Sequence, residues 1–145
     1  IFLLGWSLEV AGVHTGKIFG DYRYGQSLGW KLLDVPILIG LNWAMVCFAA
    51  TATVTYRFKS FWLKLFIAPA LPLCIDFFME QVCNTLDFWQ WTNGYAPMQN
   101  YIAWYFFGML FCLPLIPAMK NHHNRFAPWL LLIQFFFFAG IALLH

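Results

Sequence analysis

Apolar residues run along this chain in long blocks, broken by short stretches where polar residues, glycine and proline gather. A helix needs about 20 mostly apolar residues to cross a bilayer. Four blocks reach that length: residues 35–56, 61–82, 99–119 and 126–144. The opening run, residues 1–13, is too short to span alone and is expected to be the last part of a helix that starts upstream. Pro36 falls in a first helical turn, where its missing N–H costs little. Pro69, Pro72 and Pro114 fall in mid-span, where kinks are expected. The pattern predicts an all-α fold: a polytopic transmembrane bundle of four full spans, a partial N-terminal helix and an interfacial or re-entrant loop. No repeat, low-complexity tract or linker divides it, so residues 1–145 read as one domain.

Composition agrees with that pattern. Only 10% of residues are charged and 62% are hydrophobic, against about 25% charged in soluble domains. A net charge of +2, scattered along the chain, gives nucleic acid no surface. The aromatic share of 21% suits either a wall for a long, flat, apolar ligand or lipid-facing belts. Cys47, Cys74, Cys83 and Cys112 form no CxxC pair and read as packing residues.

Alternating the spans places residues 12–34 and 83–98 at one end of the bundle and residues 57–60 and 120–125 at the other. The acids Glu9, Asp21, Asp34, Asp76, Glu80 and Asp87 all fall at or near the first end. Lys17, Arg23 and Lys31 share it, whereas Arg57, Lys59, Lys64, Lys120 and Arg125 lie at the other. The excess of bases there makes the Arg57 and Lys120 loops cytoplasmic by the positive-inside rule, in a cell or inner membrane.

Carboxylates inside a membrane are costly and therefore candidates for function. Asp76 and Glu80 are four residues apart and share a helix face. Two such groups at low dielectric repel, an arrangement that favours a shared proton, and a held proton is what a general acid requires. Glu9 ends the first helix at the same end, and Asp87 follows in an aromatic setting, Asp87-Phe88-Trp89-Gln90-Trp91. The alternative is that these acids pair with Lys17, Arg23 or Lys31, or face interfacial water. Asp34 reads as a helix-start residue.

The glycine-rich segment 12–34 carries His14, Thr15, Asp21, Tyr22, Arg23 and Tyr24 and returns to the bilayer at Trp30. Polar backbone at membrane depth survives when it is buried in protein or lines a cavity. A lid over the acids meets that condition, and an ordinary interfacial loop is the other reading. Asn42, within a helix, and Asn100, at a helix start, are placed to orient a water or an acid, although helix–helix hydrogen bonding explains Asn42 equally well. The histidines His14, His122, His123 and His145 do not form the His-rich boxes that hold iron in membrane oxygenases. His122-His123 reads as a solvated loop pair. Phosphate loops, nucleophile elbows and redox CxxC pairs are likewise missing from the sequence. Carboxylic acids, tyrosines and aromatic faces remain, a vocabulary suited to proton-driven carbocation chemistry on an apolar substrate.

The strings GVHTGKIFGDYRYGQSLGWKLLDVPILIGLNW (12–43), DFFMEQVCNTLDFWQW (76–91) and NGYAPMQNYIAWY (93–105) carry a resemblance. They resemble the carotenoid-biosynthesis membrane proteins, which include carotenoid 1,2-hydratases of the bisanhydrobacterioruberin hydratase type. Members of that family are usually longer, with extra helices before the position of Ile1. The resemblance implies cofactor-independent hydration of the terminal double bond in a linear carotenoid ψ end group. An acid gives the alkene a proton and water captures the tertiary cation. On chemical grounds Asp76 or Glu80 is the donor and Asp87 or Glu9 the base that orients water. His14, Asp21, Tyr22, Tyr24, Trp43, Trp89, Trp91 and Asn100 are the candidate substrate-binding residues, the aromatic faces serving the cation. The expected partners are a long apolar isoprenoid and the bilayer, with other carotenoid-pathway enzymes or a second copy of the chain left open. A cyclase sharing the protonation step and a non-catalytic pigment-binding or transport protein are the rival readings.

Overall fold

A computed structural model describes residues 1–120 and 124–144. Five helices appear among them: α1 Phe2–Thr15, α2 Ile37–Arg57, α3 Phe61–Val82, α4 Met98–Ala118 and α5 Ala127–Leu144. The last four are long and apolar enough to cross a membrane, and their limits fall within about two residues of the apolar blocks, inside the usual scatter of helix ends. The His122-His123 pair and His145 lie outside the described residues.

Local chemistry sets the helix ends. Gly16 closes α1 in a left-handed conformation (φ 63°) with its N–H bonded to the Gly12 carbonyl. Ser60 caps α3 by accepting the Leu63 N–H at 3.4 Å. Pro36 is not in the first turn of α2 as expected. It precedes the helix with ψ 135° and pairs in a short hairpin between β2 (Lys31–Leu32) and β3 (Val35–Pro36). α3 runs through Pro69 and Pro72, and α4 through Pro114 and Pro117.

α2 sits at the centre, packed against the other four helices. Its buried Ile39, Trp43, Val46, Cys47, Ala50 and Val54 recur at helical spacing. The α1–α2 contact is very close: a β-carbon at Gly5 would lie 2.6 Å from the Trp43 β-carbon. Small residues permit such approach between membrane helices. α5 is the most peripheral span, with Leu132, Ile133, Phe136 and Phe137 exposed. An apolar outer surface of this kind is a liability in water and a match for lipid.

The loops hold a feature that the helical pattern did not predict. β1 (Tyr22–Tyr24) pairs antiparallel with β4 (Trp89–Trp91), in the register Tyr22↔Trp91, Arg23↔Gln90 and Tyr24↔Trp89. This ribbon puts the 12–34 and 83–98 loops at the same end of the bundle, as alternation of the spans requires.

Candidate functional site

Side chains directly opposite one another in an antiparallel pair share a face. Tyr22, Tyr24, Trp89 and Trp91 therefore face one way, while Arg23 and Gln90 face the other. There the guanidinium donates to Gln90 Oε1 at 2.9 and 3.3 Å. The four rings pack together, with Tyr22 and Trp91 centroids 4.9 Å apart and Tyr24 and Trp89 6.2 Å apart.

Their polar tips reach two carboxyl groups. Tyr22 and Tyr24 hydroxyls donate to Glu9 Oε2 at 2.5 and 2.9 Å, and the Trp43 indole donates to Oε1 at 2.8 Å. Trp89 and Trp91 indoles donate to Glu80 Oε2 at 3.1 and 2.6 Å. Asn100 Nδ2 donates to Glu80 Oε1 at 2.9 Å and reaches Asp76 Oδ2 at 3.4 Å. Asp76 is 1% exposed, and its Oδ1 has no hydrogen-bond partner. Burial, then the charge of Glu9, pushes both phenols well above their usual range, so they remain protonated donors.

The basic residues do not neutralise this cluster. Arg23 is engaged with Gln90, Lys31 Nζ donates to the Tyr24 carbonyl at 2.7 Å, and Lys17 is exposed. Among the described residues the one ion pair is His14–Asp34, 3.9 Å apart at the surface.

Beneath the ribbon lies a cavity of about 230 Å3. Glu9, Glu80, Asn100, Tyr22, Tyr24, Trp89 and Trp91 line it, with Phe19, Leu28, Phe88, Trp104 and Phe138 among the apolar walls. Segment 12–34 covers it as a lid through Phe19, Tyr22, Tyr24 and Leu28. Asp76 stands behind Asn100, outside the lining. Trp43 is also outside: it is 1% exposed, holds Glu9 and stacks on Trp104 with centroids 4.0 Å apart. His14 and Asp21 are exposed and do not line the cavity.

Asp87 has a different environment from Glu9 and Glu80. Its Oδ2 accepts the Gln26 N–H at 2.7 Å, and its carbonyl accepts the Ser27 N–H at 3.3 Å. Its backbone is left-handed (φ 52°), a conformation that Asp tolerates better than most residues. These bonds tie the two loops together, and the carboxylate is absent from the cavity lining. Gly25 makes the tie possible, because a β-carbon there would collide with the Asp87 carbonyl and Oδ1. Gly25→Ala is expected to detach this edge of the lid at a cost of about 1–3 kcal/mol. Faster proteolysis within residues 16–34 in intact membranes is the expected sign; an unchanged cleavage rate would show that the tie does not hold the lid.

Sequence reasoning passed over Gln134, Trp104, Phe19, Phe88 and Phe138 as lining residues. Gln134 had a legible signal, being the sole amide within the apolar run of α5.

No curated protein and no solved structure matches the chain. A family match does exist and extends over residues 1–145. With this match, the chain that carries the lidded, acid-lined cavity belongs to the carotenoid biosynthesis protein family.

Proposed function

We propose that this protein hydrates the terminal double bond of a linear carotenoid ψ end group. The observation that carries the reading is an aromatic-walled cavity holding two carboxyl groups, with a third behind it and, among the described residues, no cation paired to any of them. At about 230 Å3 the cavity is smaller than the ~300–1,000 Å3 of ordinary ligand pockets, so it takes one end of a long molecule. Leu38 and Leu41 of α2 line it while remaining 48% and 52% exposed. The polyene tail therefore leaves past α2 into the surrounding lipid.

Glu80 faces the cavity and is the proton donor in this reading, with Asp76 beside it as its partner. The proton goes to the CH carbon of the terminal double bond, leaving the cation on the carbon that bears two methyl groups. In this reading the faces of Tyr22, Trp89 and Trp91 stabilise that charge. Water adds to the cation and gives up a proton to a carboxylate, Glu9 being the other acid that lines the cavity. One alkene and one water become one tertiary alcohol, and the enzyme's proton count is restored. By the excess of basic residues at the opposite end, the Arg57 and Lys120 loops face the cytoplasm.

Expression of the gene in cells that accumulate lycopene tests the reading. A pigment heavier by one water is the expected product. A pigment of unchanged mass and altered retention would replace hydration with cyclisation. Unaltered pigment, with the protein present in the membrane, would leave only pigment binding or transport.

A further inference from the structure

Two amides in this cavity have no role in the acid cluster. Asn42 of α2 and Gln134 of α5 both line it. Gln134 Oε1 is buried without a hydrogen-bond partner, and among the described residues no side-chain hydrogen bond engages the Asn42 amide. Asn100 forms the contrast, since its Nδ2 is committed to Glu80 and Asp76. Buried polar atoms in folded proteins are nearly always paired, and lipid supplies no substitute partner. The buried, unpaired Gln134 Oε1 and the half-buried Asn42 amide on the neighbouring helix, set among Ile39, Met45 and Phe138, therefore point to a polar group brought by the ligand.

We infer that Asn42 and Gln134 form a subsite for the hydroxyl group of an isoprenoid alcohol. The donor and acceptor pattern selects that group. Gln134 Oε1 requires a donor and the Asn42 amide offers both functions, so an O–H that donates to one and accepts from the other satisfies both. A ketone or ether oxygen can only accept, so it can serve an amide NH2 but never an amide oxygen. A phosphate or carboxylate would need a cation, and Lys or Arg is absent from the lining. A lone water meets the same amides but leaves the apolar walls unfilled, whereas an alcohol brings its own apolar body. The cavity thus discriminates between oxygenated and hydrocarbon isoprenoids, which rests on the reading that its ligand is a linear isoprenoid.

Binding to the protein in lipid nanodiscs tests this, with empty nanodiscs as the blank. The probes are isotopically labelled geranyllinalool, a linear isoprenoid tertiary alcohol, and the hydrocarbon formed by its dehydration. One buried hydrogen-bonded group predicts a preference for the alcohol of roughly tenfold. Asn42→Leu and Gln134→Leu are expected to abolish the preference and keep hydrocarbon binding, which also reports that each variant is folded. If a leucine variant loses both ligands, Gln134→Met and Asn42→Ala make the same comparison without a branched side chain. Equal binding of the two probes by the unmodified protein would leave the amides holding water only and overturn the subsite while sparing the isoprenoid reading. Binding of neither probe would overturn both.

Discussion

Glu80→Gln is expected to lower hydration of a linear carotenoid by about 10²–10⁴-fold while pigment binding stays nearly constant. The substitution keeps shape and most of the hydrogen bonding. The amide oxygen of Gln can accept from Trp89 and Trp91, and Asn100 can turn its own oxygen to meet the new NH2. What disappears is the transferable proton. Binding should survive because a polyene is held by buried apolar area, worth roughly 25 cal/mol per Å2, and not by one carboxyl group. Asp76→Asn is expected to act in the same direction, since Asp76 shares Asn100 with Glu80. Asp34→Asn should have little effect, because Asp34 is exposed and pairs only with His14 at the surface. Product and bound pigment would be measured separately in membranes carrying each variant. Full activity in both the Glu80 and the Asp76 variants would end the proposed mechanism, and parallel loss of binding and activity would give the pair a structural role.

Glu9→Leu should be the most destabilising single change at the site. Three donors converge on that carboxyl group, from Tyr22, Tyr24 and Trp43. Removing the acceptors leaves them buried and unpaired, at about 1–3 kcal/mol for each group that finds no other partner. The two hydroxyls can turn toward one another, but the indole N–H of Trp43 can only donate. A total loss of about 2–5 kcal/mol follows, readable by reversible denaturation in mixed micelles. Glu9→Gln should cost far less, because its oxygen can serve Trp43 while its NH2 donates to hydroxyls that now accept. Equal losses in the two variants would show that the carboxyl group fills space at this position without organising its donors.

Much of the architecture was legible because lipid imposes a simple rule on sequence. Each spanning helix must be a long apolar run, and α2 to α5 ended close to where those runs ended. The gathering of Glu9, Asp76 and Glu80 at one end of the bundle was legible for the same reason, since an acid in such surroundings stands out. The ribbon was not. Tyr-Arg-Tyr and Trp-Gln-Trp are too short to show a strand period, and Arg23 and Gln90 are 67 residues apart in the chain. Only the assembled bundle brings them together. Asp87 looked like a fourth acid of the site because sequence shows its charge but not its left-handed backbone or the N–H it accepts. Trp43 was expected to touch substrate and instead holds Glu9, a distinction of depth that a helical wheel does not make.

The register of the ribbon also limits how this chain can change in length. Within β1 and β4, inward and outward positions alternate strictly, so parity decides what meets the carboxyl groups. Inserting or deleting one residue within β1 or β4 would exchange the two faces along the rest of that strand. An arginine would then point where tyrosines had been, and a guanidinium beside Glu9 and Glu80 would make an ion pair where the proposed proton chemistry needs an uncompensated acid. Point substitutions on the outer face are open to drift, but single-residue indels are not. Gain or loss of residues is therefore expected in pairs within the ribbon, or singly in the stretch 92–96 beyond it, where the alternation no longer reaches the cavity.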